Sequence, residues 1–162
     1  LKIIIDAQLN HTADYLEYPS TTYSPADYKP AAPFDNPAWY HNTPNIVNFD
    51  DPNEAQNYSL GGLDDLAQEN PDCWQALMDA YWNPDTDSGW FSYGFAGSRV
   101  DAVIEIPPQY LALYEQHTGK PSFGEAFTGS VDANAAFQNY MWGMLDFPLY
   151  FQMNKVLSLI HI

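Results

Sequence analysis

The sequence predicts an α/β fold built on a parallel sheet, and three observations carry that expectation. Short apolar, strand-like runs alternate with segments of helical period, polar residues collect at the C-terminal ends of those runs, and prolines and glycines punctuate the boundaries. With 162 residues, 46% of them apolar and 16% aromatic, the chain has ample material for a buried core.

The elements follow in order. "LKIIIDAQLNH" (1–11) reads as a buried strand ending in Asp6, Asn10 and His11. It opens on an apolar run without a methionine, which suggests that a preceding segment has been cut away. From Thr12 to about Gly62 the texture is Pro, Tyr, Asn and Asp without helical period, too long for an ordinary loop and expected to be a functional insertion or small subdomain. "NPDCWQALMDAYW" (70–82) places Trp74, Leu77, Met78 and Tyr81 on one helical face, with Asp72 placed to cap and Pro84 to stop the run. "SRVDAVIEI" (98–106) reads as a second strand, and "PPQYLALYEQHTG" (107–119) as a helix opened by proline and closed by Gly119. "PSFGEAF" (121–127) and "GMLDFPLYF" (143–151) read as third and fourth strands, and "QMNKVL" (152–157) as the start of another helix.

Composition narrows the function classes. Twenty-one acidic against five basic residues give a net charge of −16, which repels phosphate backbones and anionic headgroups and sets nucleic acid and membrane surfaces aside. The single cysteine, Cys73, permits no disulfide within the chain and no thiolate–metal framework. No apolar stretch approaches the roughly 20 residues that a bilayer span needs.

In a parallel barrel the strand ends gather at one mouth, and here they offer Asp6, Asn10 and His11, then Arg99 and Asp101, then Glu125. Two carboxyl groups on adjacent strands suit glycosidic cleavage, one attacking or stabilising the anomeric carbon and the other protonating the leaving oxygen. Arg99, two residues before Asp101, lies on the same side of the strand and would keep that carboxylate ionised. Each acidic residue alone fits a solvated strand end or a structural ion pair better than a catalyst; the set is what points to chemistry.

"DAQLNH" (6–11), "GLDDL" (62–66), "GSRVDA" (97–102) and "GEAF" (124–127) resemble, in order, the sequence regions of the alpha-amylases of glycoside hydrolase family 13. The resemblance reaches to about Leu157. It implies a partial (β/α)8 TIM barrel, strands three to six, formed by residues 1–11 and 67–157, with an irregular insert domain at 12–66 and a foreign-looking tail at 158–162. It implies retaining endo-hydrolysis of α-1,4 bonds in starch, glycogen or maltooligosaccharides by a longer, secreted enzyme of which this chain is a segment, inactive in isolation. Asp101 would be the nucleophile, Glu125 the general acid/base, Arg99 the residue that holds the nucleophile, and His11 a contact to the cleaved sugar. The family's calcium would take Asn10 and Asp65 through side chains and Gln56 through its carbonyl; Asp64 rivals Asp65. The sequon at Asn10 is then accidental, and that at Asn57 is usable only in a secreted protein. Oligomeric state is left open.

The resemblance breaks after "VDA", where the family continues with Lys-His. Either two residues are missing, or Ile104 and Glu105 stand in for them, at positions that ordinarily touch the leaving-group sugar and complete the calcium site. Tyr58 replaces a usual cysteine, and the family's third acidic residue lies outside the sequence. A transglycosylase or maltose-processing relative shares these motifs and would differ in its products on starch. A catalytically silent sugar binder would bind oligosaccharide without forming reducing ends. A plain structural α/β domain leaves the ordered motifs unexplained.

Overall fold

The computed structural model describes residues 1–23 and 28–160; expectations for 24–27 and for the last two residues lie outside it. Four strands, β1 (Ile4–Ala7), β2 (Gly97–Val100), β3 (Ser122–Gly124) and β4 (Gly143–Met144), lie side by side in chain order. Every neighbouring pair is parallel. The sheet is open, with β1 and β4 at its edges. Its helices are α1 (Pro52–Asn57) in the insert, then α2 (Pro71–Tyr81), α3 (Pro108–Thr118), α4 (Val131–Ala136) and α5 (Phe147–Ile160). No helix among the described residues is long and apolar enough to cross a membrane.

Local chemistry explains the helices that position the sheet. α2 starts at Pro71, whose fixed φ suits a first helical position, and the Asn70 side chain accepts from the amides of Asp72 and Cys73. The expected cap, Asp72, stands instead in the first turn, where its charge faces the positive helix end. α2 buries Cys73, Leu77, Met78 and Tyr81. α3 ends as expected at Gly119, which takes a left-handed φ of 59°. Val100, Val103, Ile106, Leu111 and Tyr114 are fully buried in the core. Two tyrosines fasten this core to the strands: the Tyr81 hydroxyl accepts from the Gln8 amide (2.7 Å) and donates to the Gln8 carbonyl (3.1 Å), and the Tyr114 hydroxyl donates to Ser98 Oγ (3.0 Å).

Three expectations needed correction. The opening apolar run is not a buried strand: Ile3 and Ile4 are 58% and 45% exposed, because β1 has one neighbour and an uncovered face. The second strand ends at Val100 rather than Ile106, because Ala102 turns left-handed (φ 51°) and residues 103–105 form a 3-10 turn held by a hydrogen bond from the Val103 amide to the Glu125 carbonyl. The fourth strand is only Gly143–Met144. Asp146 Oδ1 accepts from the Leu149 amide (3.0 Å) and Pro148 sits in the first turn, so the helix begins at Phe147.

Among the described residues, the insert between β1 and α2 is irregular apart from α1 and a short 3-10 turn at Pro37–Trp39. Isolated bridges join His11 to Asp65 and Tyr40 to Leu66, so the insert's two ends return to one place. Asp64 Oδ2 accepts from the amides of Tyr15 (2.8 Å) and Leu16 (2.9 Å) and ties down the insert's first turn.

β2 and β3 approach closely at Gly97, where an added Cβ would stand 2.4 Å from the Pro121 carbonyl oxygen. Both partners are backbone and cannot step aside cheaply. Gly97→Ala is expected to lower stability by about 1–3 kcal/mol, the usual cost of overpacking, read as a shift in urea midpoint; an unchanged midpoint would contradict this packing.

Candidate active site

The parallel register gathers the charged strand ends. Asp6 on β1 stands opposite Arg99 on β2. Asp101 follows β2, its amide bonded to the Ala7 carbonyl (3.0 Å), and Glu125 follows β3, its amide bonded to the Val100 carbonyl (2.8 Å). Backbone bonds therefore fix both carboxylate-bearing residues to their neighbouring strands.

Arg99 lies at the centre. Its Nη1 is 2.6 Å from Asp101 Oδ1 and 2.6 Å from Asp6 Oδ1, and its Nη2 contacts Glu125 Oε2. The expected pairing of Arg99 with Asp101 is present, and its contacts with Asp6 and Glu125 are additional. Burial would favour losing the guanidinium proton, but hydrogen bonds to Asp6 and Glu125 and the charges of Asp101 and Glu125 outweigh it, so Arg99 stays cationic.

His11 completes the group, with Nε2 3.7 Å from Asp101 Oδ2 and Nδ1 3.4 Å from Asn10 Nδ2. Burial lowers its pKa, against the raising charge of Asp101, and so favours the neutral imidazole. If Nδ1 accepts from Asn10, Nε2 carries the proton and points a donor towards Asp101. A cleft of about 680 Å³ opens on His11, Asp101 and Glu125, walled by Phe49 and Phe127 among others.

Glu105 shares that cleft and is 8% exposed. Burial pushes its carboxyl up to about 7, and the charges of Asp101, Glu125 and Asp65 push the same way.

Behind His11, Asn10 and Asp65 are buried next to each other. The Leu66 amide donates to the Asn10 carbonyl (2.8 Å), and Asn10 Oδ1 and Asp65 Oδ1 are both buried with no hydrogen-bond partner. Asp65 Oδ2 accepts from His41 Nδ1 (2.5 Å), and His41 Nε2 lies 2.9 Å from Glu69 Oε1. Burial alone would lower the His41 pKa, but Asp65 and Glu69 raise it overall. Asp64 turns its Oδ2 to the amides of Tyr15 and Leu16, whereas Asp65 Oδ1 is buried without a partner among the described residues. Gln56 stands half-buried on α1, which packs on the 103–105 turn, and no hydrogen bond among the described residues joins it to Asn10 or Asp65. Asn10, fully buried, cannot carry a glycan.

No family model matches the sequence. The beta/alpha-amylase of Paenibacillus polymyxa is 28% identical over 165 residues, covering 96% of this chain and 12% of its own length. Alpha-amylase 2 of Schwanniomyces occidentalis is 26% identical over 157 residues, covering 94% of this chain and 29% of its own. The crystal structure of the Geobacillus thermoleovorans alpha-amylase, complexed with acarbose, superposes with a TM-score of 0.71 at 25% identity, over 93% of this chain and 31% of that one. The chain is alpha-amylase-like. Its open four-stranded sheet corresponds to part of the TIM barrel of these enzymes, and it spans less than a third of the length of each of these relatives.

Three residues of this site, His41, Phe49 and Phe127, were not among the sequence-derived candidates. Nothing local in "YHNTP" marks His41, because its partners Asp65 and Glu69 lie more than twenty residues away in the chain. Phe127 follows the "GEA" of β3 and could have been found as an aromatic next to a strand-end carboxylate.

The buried Glu105 fixes a pH dependence. Between the ordinary carboxyl value of 4.5 and about 7 the folded state holds a proton that the unfolded chain releases, so stability falls as pH rises through that window. Glu105→Gln removes the effect. The variant is expected to gain up to about 3 kcal/mol over the wild type at pH 8 and nothing extra below pH 4.5, measured by denaturant melts at both pH values; a gain independent of pH would contradict it.

Proposed function

We propose that the protein carrying this chain hydrolyses α-1,4-glucosidic bonds of starch-type glucans with retention of anomeric configuration. The observation that carries this reading is one guanidinium, Arg99, shared by Asp101 and Glu125 at the mouth of a parallel sheet, with His11 beside them. A shared guanidinium holds both carboxyl groups at one place, which supports their acting on a single glycosidic bond, one as nucleophile and the other as acid.

In this mechanism an Asp101 oxygen attacks the anomeric carbon as the bond to the leaving oxygen breaks, and Glu125 gives that oxygen its proton. Glu125, now a carboxylate, takes a proton from water, whose oxygen displaces Asp101 and frees the sugar. Arg99 holds Asp101 for in-line attack, and Glu125 must leave the guanidinium and take up a proton from solvent before it can protonate the leaving oxygen. The Nε2–H of neutral His11 is placed to donate to a hydroxyl of the sugar under attack. Phe49 and Phe127 offer apolar faces to its ring.

The residues present also suit a hard cation. Asn10 Oδ1 and Asp65 Oδ1 are the uncharged and charged oxygen donors that calcium prefers, each buried without a partner, and His41 orients Asp65 as an outer-shell partner would. Calcium bound there would supply charge compensation and tie the insert's end to the segment that carries His11. Gln56 belongs to this proposed set through its carbonyl.

Replacing Glu125 by Gln in the full-length protein is expected to cut starch hydrolysis by about 10²–10⁴-fold, the typical share of a general acid, with reducing-end assay as readout; undiminished turnover refutes the role. Chelation by EDTA is expected to lower the melting temperature of the wild type and to leave an Asp65→Ala variant unmoved. Calcium-independent melting of the wild type would remove the cation from this reading.

A further inference from the structure

His11 stands beside Asp101, yet its own side chain holds it there only loosely. Its Nε2 is 3.7 Å from Asp101 Oδ2 and its Nδ1 3.4 Å from Asn10 Nδ2, both long for hydrogen bonds. A cavity of about 540 Å³, walled by Gln8, His11, Thr12 and Tyr81 among others, opens beside it, so packing does not lock the imidazole on that side. The place of His11 is therefore set by the backbone that leads to it.

That backbone leaves β1 at Ala7, and its polar groups are bonded one after another. The Ala7 carbonyl accepts from the Asp101 amide (3.0 Å), the Leu9 carbonyl from Gln68 Nε2 (3.1 Å) and the Asn10 carbonyl from the Leu66 amide (2.8 Å). Between them, both backbone groups of Gln8 meet a single oxygen: its amide donates to the Tyr81 hydroxyl (2.7 Å), which donates to its carbonyl (3.1 Å). One side chain thus stands where a neighbouring strand would, at the point where β1 stops. The anchor is itself rigid, as a positioning group has to be. Tyr81 is 7% exposed and crosses Tyr114 edge-on, with ring centroids 5.4 Å apart. The next carbonyl, that of Trp82, accepts from His117 Nε2 (2.6 Å), and the loop after α2 folds back so closely that a Cβ on Gly89 would stand 2.8 Å from the Tyr81 carbonyl.

We propose that Tyr81 is a positioning residue for His11: its hydroxyl fixes where residues 8–11 leave the sheet and so keeps the imidazole beside Asp101. What His11 does there rests on the proposed hydrolysis; how it is held does not. Tyr81 touches neither substrate nor the reacting carboxylates and acts through the backbone of Gln8 alone.

The test uses the full-length protein and two hydroxyl deletions within one aromatic pair. Tyr81→Phe removes the anchor, whereas Tyr114→Phe removes a bond to Ser98 Oγ (3.0 Å) from the same core and leaves residues 8–11 untouched. Tyr81→Phe is expected to lower kcat/KM on starch by about 10–10²-fold, the scale on which a misplaced contact group costs rate. Most of that effect should vanish in a His11→Ala background, because two residues acting through one contact are not additive. Tyr114→Phe is expected to keep kcat/KM close to the wild-type value. Amide hydrogen exchange at Asp101 and Leu66, whose N–H groups hold the two ends of the segment, should quicken in Tyr81→Phe and not in Tyr114→Phe. Equal losses of kcat/KM in the two variants, a Tyr81→Phe loss undiminished in the His11→Ala background, or unchanged exchange at these two amides would each overturn the proposal. In a protein without starch turnover the exchange contrast decides alone: its presence keeps Tyr81 as the anchor and removes the proposed hydrolysis, and its absence removes both.

Discussion

The structure depends on one guanidinium. A parallel sheet brings the C-terminal ends of its strands to one mouth, and here those ends carry Asp6, Asp101 and Glu125, three like charges within reach of one another. Arg99 is bonded to all three. A lysine would offer a compact point charge in place of the planar fork that meets several carboxylates at once. In a chain of net charge −16 few other cations could take its place. The same contact joins β1, β2 and the end of β3, so what compensates the charge also holds the strand ends in register.

The insert depends on that mouth in turn. A long irregular segment costs little extra closure entropy when its ends lie together, and His11 and Asp65 bridge at that junction. Hydrogen bonds from the Thr12 amide to the Asp64 carbonyl (3.0 Å) and from the Leu66 amide to the Asn10 carbonyl (2.8 Å) hold it closed. The two unpartnered oxygens of Asn10 and Asp65 lie at this same seam. Each buried oxygen without a partner costs about 1–3 kcal/mol, so this seam carries a local penalty at both residues.

What was legible in the sequence was whatever local pattern decides. The helix at 71–81 follows from its apolar stripe, and the helix at 108–118 from its proline and closing glycine. The grouping of Arg99, Asp101, Glu125 and His11 follows from strand ends in a parallel sheet. The misreadings arose where tertiary contacts outweigh pattern. "VIE" has strand composition, yet a bond to the Glu125 carbonyl bends it into a turn. "LDFP" looked apolar enough for a strand, although an aspartate two residues before a proline is also a helix start. His41 was illegible because its role exists only through Asp65 and Glu69.

Glu105 shows how a break in a familiar pattern can be read physically. Its burial opposes stability at neutral pH, since the folded chain must either hold a proton there or bear an uncompensated charge. A glutamine would fill the same space without that cost, and an aliphatic residue would suit the core side of the turn better still. Residues that work against stability in a cleft are where function is usually carried. The backbone agrees, because non-glycine Ala102 accepts a left-handed conformation to bring the turn to this place. Two local penalties three residues apart, one conformational at Ala102 and one electrostatic at Glu105, put a carboxyl in the cleft that Asp101 also lines.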